Sequence, residues 1–221
     1  MKAIVATRYG SPDVLEYTDV EKPTPKDDEV LVKVHATSIN AADWHLLTAD
    51  IFLVRLAAGM FKPRNPILGC DVAGTVEAVG RDITQFKPGD AVFGDAFSYH
   101  YGGFAEYVAL PERVLALKPA NLSFDEAAAV PLAAITALQG LRDLGQIQPG
   151  QKILINGASG GVGTFAVQIA KHYGGDVTAV CSTRNLDAAK SLGADHVIDY
   201  TREDFSNSGK RYDLILAANG N

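Results

Sequence analysis

Between Gln151 and Tyr173 the chain reads QKILINGASGGVGTFAVQIAKHY, and the glycines at its centre carry the clearest chemistry of the sequence. Small side chains over Ala158-Ser159-Gly160-Gly161-Val162-Gly163 leave backbone amides open to a ligand. A turn of this kind that opens a helix suits a pyrophosphate, because first-turn N–H groups lack partners and the positive helix end favours an anion. Gly160 permits close approach of the ligand, Gly163 lets the helix pack near the preceding strand, and Ser159, Gly161 and Val162 offer amides to the phosphates. Ala158 stands where G-x-G-x-x-G patterns have their first glycine. Tight packing alone is the ordinary alternative for such glycines, and the strand before and helix after them favour a site.

A second group of polar residues lies about 20 residues beyond the turn, where an Asp or Glu that holds ribose hydroxyls is expected in NAD-binding folds. No acid is there. Val177 to Cys181 is followed by Ser182-Thr183-Arg184, two hydroxyls and a guanidinium suited to a ribose 2′-phosphate. NADPH is therefore expected in preference to NADH, the alternative being that Arg184 is a solvated residue before the Asn185 helix.

These residues need strand-turn-helix units to hold them, and the sequence supplies such units in its second half. Lys152 to Asn156 is a short apolar run, and Val162, Phe165, Ala166, Ile169 and Tyr173 recur at helical spacing. Val177 to Cys181, a helix from Asn185 to Leu192 stopped at Gly193, His196 to Asp199 and Tyr212 to Ala218 continue the alternation. That pattern predicts a parallel sheet with helices on its faces. From Met1 to about Lys118 the texture is instead β: Lys2 to Thr7, Val30 to Ser38, Val72 to Val79, Ala91 to Phe93, Phe104 to Leu110 and Val114 to Leu117 are separated by Pro-, Gly- and Asp-bearing turns. Ala41 to Phe61 has helical content and then a mobile-looking apolar stretch. Ser123 and Glu126 form a capping-box pattern, Pro131 separates a short helix from a second over Leu132 to Leu144, and Gly145 stops it. The expected organisation is α/β plus β: a barrel-like domain over 1–120 and a dinucleotide domain over 121–221.

Composition narrows the classes. With 20 basic against 26 acidic residues and a net charge of -6, nucleic acid and anionic membrane surfaces are not expected partners. The longest apolar tract, Ala127 to Leu138, is too short to span a bilayer. Cys70 and Cys181 stand far apart, without disulfide or metal spacing, and fit a reducing compartment. The start MKAIVATRYG reads as a first strand and not a signal peptide, so a cytoplasmic protein is expected. A doubly wound domain needs a second βαβαβ half, of which one strand is present before Asn221. The chain is expected to be a truncated piece of a longer one, the alternative being a short protein that completes its sheet by homodimerisation.

Across its whole length the chain resembles the medium-chain dehydrogenase/reductase superfamily, in particular the zinc-lacking quinone oxidoreductase and alkenal/enone reductase branch. The resemblance rests on Ser38-Ile-Asn40-Ala-Ala-Asp43, Leu68-Gly-Cys-Asp-Val-Ala-Gly74, Lys87-Pro-Gly-Asp90, Gly102-Gly-Phe-Ala-Glu-Tyr107, Pro131-Leu-Ala-Ala-Ile-Thr136 and the Ala158 to Gly163 turn. It implies a GroES-like β-barrel domain followed by a Rossmann domain that is incomplete here. Zinc-dependent members bind their catalytic metal through a Cys, a His and a Cys; the matching positions here are Asn40, Cys70 and Leu132, and the four-cysteine structural lobe is absent. No metal is expected, although His45, Asp71 and Cys70 offer an alternative ligand set. Without a Lewis acid, hydride transfer to a quinone or α,β-unsaturated carbonyl is favoured over alcohol oxidation, since such acceptors carry their own activation. Asn40 and Asp43 are expected to line the acceptor pocket, though Asp43 could instead cap the helix at Trp44. The resemblance further places Thr136 near the nicotinamide, Tyr200 at the 2′-phosphate and Asn219 at the ribose side. A short-chain dehydrogenase is disfavoured by the position of the turn and by the lack of a Tyr-x-x-x-Lys pair. A non-catalytic NADPH-binding sensor and, less favoured, an alcohol dehydrogenase stand as alternatives.

Overall fold

In the computed structural model, residues 1–207 and 209–218 are described, and the chain divides into two compact units, Met1–Leu132 and Ala133–Asn221. In the first, β3 (Glu29–Ala36), β4 (Asp71–Val79), β5 (Ala91–Asp95), β6 (Tyr107–Pro111) and β7 (Leu115–Leu117) form an antiparallel sheet in the order β6-β3-β4-β5-β7. Val30, Val32, Val72, Val76, Val92 and Leu110 fill its core, and two register shifts in the β3–β4 pair, at Leu31/Val32 and Val34/Ala36, interrupt the ladder. Two strands, β1 (Lys2–Ala6) and β2 (Leu15–Asp19), pair at the side, and β2 was not foreseen in the sequence. The run expected from Phe104 begins its ladder at Tyr107, because Phe104 is drawn aside by its own bonds: its N–H donates to Leu68 and its carbonyl accepts from Ile4.

Two helices, α1 (Ala41–Thr48) and α2 (Phe52–Ala58), occupy the segment that looked half helical and half mobile. None of the α2 residues is buried. Val54 and Ala58, partly buried, pack against Leu46, Leu47 and Leu68, and the helix is pinned at its end, where the Tyr9 hydroxyl donates to Gly59 O at 2.6 Å. The first unit extends past the change of texture near residue 120 because α3 (Phe124–Ala128) lays Ala127 and Ala128 against Ala73 of its sheet. Ser123 and Glu126 form the anticipated capping box at its start. Pro131 opens α4 (Pro131–Leu138), the position where its missing N–H costs nothing, and a π-helical turn over Gln139–Leu144 carries the chain to Gly145.

The second unit has a parallel sheet in the order β10-β9-β8-β11, with β8 Lys152–Asn156, β9 Asp176–Cys181, β10 His196–Asp199 and β11 Leu214–Ala217. One face is covered by α5 (Gly161–His172) and α6 (Leu186–Ser191), with Ala166, Val167 and Ala170 packed on Ile153, Ile155, Val177 and Ala179. On the other, Leu154, Val180 and Ile198 meet Phe205 and Tyr212. The strand order runs outward from β8 in both directions and reverses between β8 and β11, and it is outside the carboxyl ends of the strands at such a switch point that a doubly wound sheet binds its ligand. Among the described residues no helix is long and apolar enough to cross a membrane.

Candidate functional site

The glycine turn sits at the carboxyl end of β8 and is tied to the neighbouring strand: the N–H groups of Gly157 and Ala158 both donate to Val180 O. Gly157 has φ +81, a conformation that a glycine adopts without strain. The chain then enters α5 with Gly160 as N-cap, without a capping side chain. The first N–H groups of the helix, at Gly161, Val162 and Gly163, thus lack the side-chain partner that a Ser or Asp cap provides. A Cβ on Gly163 would stand 2.1 Å from Gly157 O and 2.7 Å from Ala158 Cα, whereas one on Gly160 would meet only Gly157 O at 3.4 Å. Gly163 is therefore demanded by packing, while Gly160 leaves open space in front of the amides. Such a turn fits a pyrophosphate, with Ser159, Gly160, Gly161, Val162 and Gly163 around it.

Beside it, β9 ends at Cys181 and Ser182 turns the chain into a single 3₁₀ turn, Thr183–Asn185. Asn185 Nδ2 donates to Ser182 Oγ at 3.2 Å, and Thr183 donates to Asp199 Oδ2. Asp199, buried at the end of β10, is held below the usual carboxylate range by the Thr183 and Thr201 hydroxyls, and Arg202 Nε lies 3.5 Å from it. An acid is thus present near this corner, supplied by β10 and engaged by two threonines. Arg184 is exposed, with no ion pair among the described residues. Tyr200, 57% exposed, follows β10 directly. Thr136 lies on the exposed side of α4. Asn219 lies outside the described residues.

The second group of predicted residues belongs to the first unit. Asn40 is the N-cap of α1, and its main-chain N–H donates to Asp43 Oδ2 at 2.8 Å. Asp43, 4% exposed, also accepts from Gly69 N–H and the Cys70 thiol through Oδ1, each at 3.1 Å. Its carboxylate is consumed by the cap and the Gly69-Cys70 turn, so Asp43 secures this corner from beneath. The Asn40 side chain turns to Asp71, a fully buried carboxylate that also accepts from Ser38 Oγ and from Leu132 N–H at the start of α4. Burial pushes the Asp71 carboxyl up, against the opposing pull of Ser38, Asn40 and Leu132. From the sequence Asp71 suggests only a metal ligand, and Ser38 carries no evident role. Their bonds join residues 31, 33 and 61 positions apart, and no local pattern announces them.

His45, the third member of the alternative ligand set, turns away to Asp50, 2.9 Å from its Nδ1. Burial, reinforced by the Asp43 charge, drives the Cys70 thiol far above its ordinary range, so it stands as a protonated donor. A separate cavity of about 570 Å³ in the same unit is walled by Leu46, Ala58, Arg64, Tyr99, His100 and Tyr101.

Comparison with known proteins covers both units. Residues 26–120 match the alcohol dehydrogenase GroES-like domain, and residues 161–218 match the zinc-binding dehydrogenase family. The 2-methylene-furan-3-one reductase of Solanum lycopersicum is 42% identical over 233 residues, which cover 100% of this chain and 57% of that protein. The chloroplast envelope quinone oxidoreductase homolog of Arabidopsis thaliana is 39% identical over 236 residues, 100% of this chain and 69% of the relative. The solved quinone oxidoreductase from Coxiella burnetii superposes with a TM-score of 0.88 at 35% identity, over 97% of this chain and 67% of its own. The chain therefore spans from 57% to 69% of the length of these three relatives. The second family's name implies zinc, and the donor set here does not suit it: Leu132 has no side-chain donor, Asn40 offers only a carboxamide, and Cys70 by itself cannot build a three-ligand open site.

Proposed function

The chain belongs to the quinone oxidoreductase and alkenal/enone reductase branch of the medium-chain dehydrogenase/reductase superfamily, and on that footing we propose that it reduces quinones or α,β-unsaturated carbonyls with NADPH, without a metal. In this reading the GroES-like part, residues 1–120, receives the acceptor and residues 121–221 hold the cofactor. The observation that carries it is the uncapped start of α5 over β8, flanked at the end of β9 by two hydroxyls and the exposed Arg184 guanidinium. The turn amides of Ser159, Gly161 and Val162 would hold the pyrophosphate, and Ser182, Thr183, Arg184 and Tyr200 the 2′-phosphate. Thr136 and Asn219 are assigned to the nicotinamide and ribose sides. The bound dinucleotide supplies the hydride; the protein's share is binding, orientation and a donor for the oxygen on which charge develops. Asn40 is assigned that contact, and Asp43 serves it by fixing the turn.

Names of relatives support the acceptor class: one is called an NADPH-dependent alkenal/one oxidoreductase, 38% identical. A cytoplasmic home is supported by two buried cysteines that are not joined, although other relatives are named chloroplastic and mitochondrial. Steady oxidation of NADPH, followed by its absorbance, with a quinone or a 2-alkenal tests the proposal. Tight NADPH binding without turnover on any such acceptor would replace it with a sensor or binding role.

A further inference from the structure

At the end of β3 three polar atoms form a closed triangle. Ser38 Oγ donates to Asp71 Oδ2 at 2.7 Å, and Asn40 Nδ2 approaches the same carboxylate oxygen at 2.9 Å and Ser38 Oγ at 3.1 Å. From those sides the two acceptors stand about 50° apart as seen from Nδ2, whereas the two N–H bonds of a carboxamide diverge by about 120°. One N–H therefore points between the two oxygens, and the other can reach neither. The Asp71 carboxyl also decides which way round the amide sits, because its Oδ2 already accepts from Ser38 Oγ, and the reverse orientation would set the Asn40 carbonyl oxygen against that acceptor. Asp71 itself cannot turn: its Oδ1 is held by Leu132 N–H at 2.8 Å, and its main-chain carbonyl by Thr37 Oγ at 2.6 Å.

We infer that Asp71 is a positioning residue: it clamps one N–H of Asn40 and so aims the other as a single fixed donor for the carbonyl oxygen of the bound acceptor. This rests on the proposed hydride transfer. A donor oriented before the reaction needs no reorganisation when charge develops on that oxygen, which is where such contacts count most. Asn40 is half-buried, so its amide is not closed off from an acceptor.

The side-chain amide of Asn40, identified in ¹⁵N NMR spectra by its loss in Asn40→Ala, reads the geometry directly. In the unsubstituted chain its two protons should exchange with water at rates differing by at least about tenfold, and in Asp71→Asn the difference should collapse. Equal exchange of the two protons in the unsubstituted chain would overturn the inference. Ser38→Ala keeps the carboxylate and should keep the inequality, which covers the case of a poorly folded Asp71→Asn. In turnover with a 2-alkenal, Asp71→Asn should lower kcat and kcat/KM alike by roughly 10- to 100-fold, and should have little further effect once Asn40 is alanine. An undiminished effect of Asp71→Asn in the Asn40→Ala background would equally refute it. Should the unsubstituted chain reduce neither quinones nor alkenals, the functional reading falls, and the NMR comparison still decides whether Asp71 aims Asn40.

Discussion

Arg184→Ala tests the cofactor assignment at the residue on which it depends most. Three donors stand at the end of β9: the Thr183 hydroxyl proton goes to Asp199, whereas Ser182 Oγ accepts from Asn185 and keeps its own proton to give. The guanidinium is without an ion-pair partner among the described residues, and its planar fork can meet a 2′-phosphate bidentately. A hydrogen bond to a charged group contributes about 1.5–3 kcal/mol when shielded, and exposure of Arg184 reduces that to about 1–2 kcal/mol. The substitution should therefore lower kcat/KM for NADPH by roughly 5- to 30-fold. NADH has no 2′-phosphate, so its value should stay within about twofold, and the NADPH/NADH ratio should fall by the full factor. Initial rates with both cofactors and one acceptor, repeated at two salt concentrations, suffice; the loss should shrink at high salt, where an exposed charge pair is screened. An unchanged ratio would refute the reasoning, and would move recognition of the 2′-phosphate to Tyr200 or the threonines.

Gly163→Ala should destabilise the fold and weaken NADPH binding together, because its Cβ would meet the backbone of Gly157 and Ala158 at 2.1 and 2.7 Å. A cost of about 1–3 kcal/mol or more is expected for overpacking of this kind, read as a lower urea midpoint with unchanged slope. Acid stability should depend on Asp195, whose carboxylate accepts from Lys171 Nζ and Val177 N–H. Those bonds, the Lys171 one foremost, hold its carboxyl below the ordinary value. A depressed native pKa gives stability that is present above the unfolded value, about 3.9, and lost as pH falls through the native one. Between about pH 5 and pH 2 the Tm of Asp195→Asn should accordingly fall less steeply than that of the unsubstituted chain in calorimetry.

Much of the second unit was legible before any coordinates. Lys152–Asn156 and His196–Asp199 were placed to the residue, because each is a short apolar run between turn signals and the period changes from strand to helix at Gly160. β2 was missed because Leu15-Glu-Tyr-Thr-Asp is short and has no fully buried position, so alternation leaves only a faint trace. α2 was half missed for the converse reason: Phe52, Leu53 and Leu56 are apolar yet exposed, so they blur the period of Val54 and Ala58, which pack inward. In the site, Asn40 and Asp43 were singled out, but the residue that organises the corner was not. Asp71 acts through partners on two segments distant in sequence, and only the fold brings Ser38, Asn40 and Leu132 to one carboxylate.

The thiol of Cys70 has a bearing on how such a protein would survive its own chemistry. α,β-Unsaturated carbonyls alkylate thiolates, and a reductase that handles them at high local concentration risks being modified by what it consumes. Both cysteines here are buried, and burial raises each thiol's pKa, for Cys70 with the Asp43 carboxylate opposing loss of the proton still further. The carboxylate that braces the turn at Gly69 thereby also opposes ionisation of the Cys70 thiol, and in the proposed function that one contact would both shape the corner and keep the sulfur from reacting with an electrophilic acceptor.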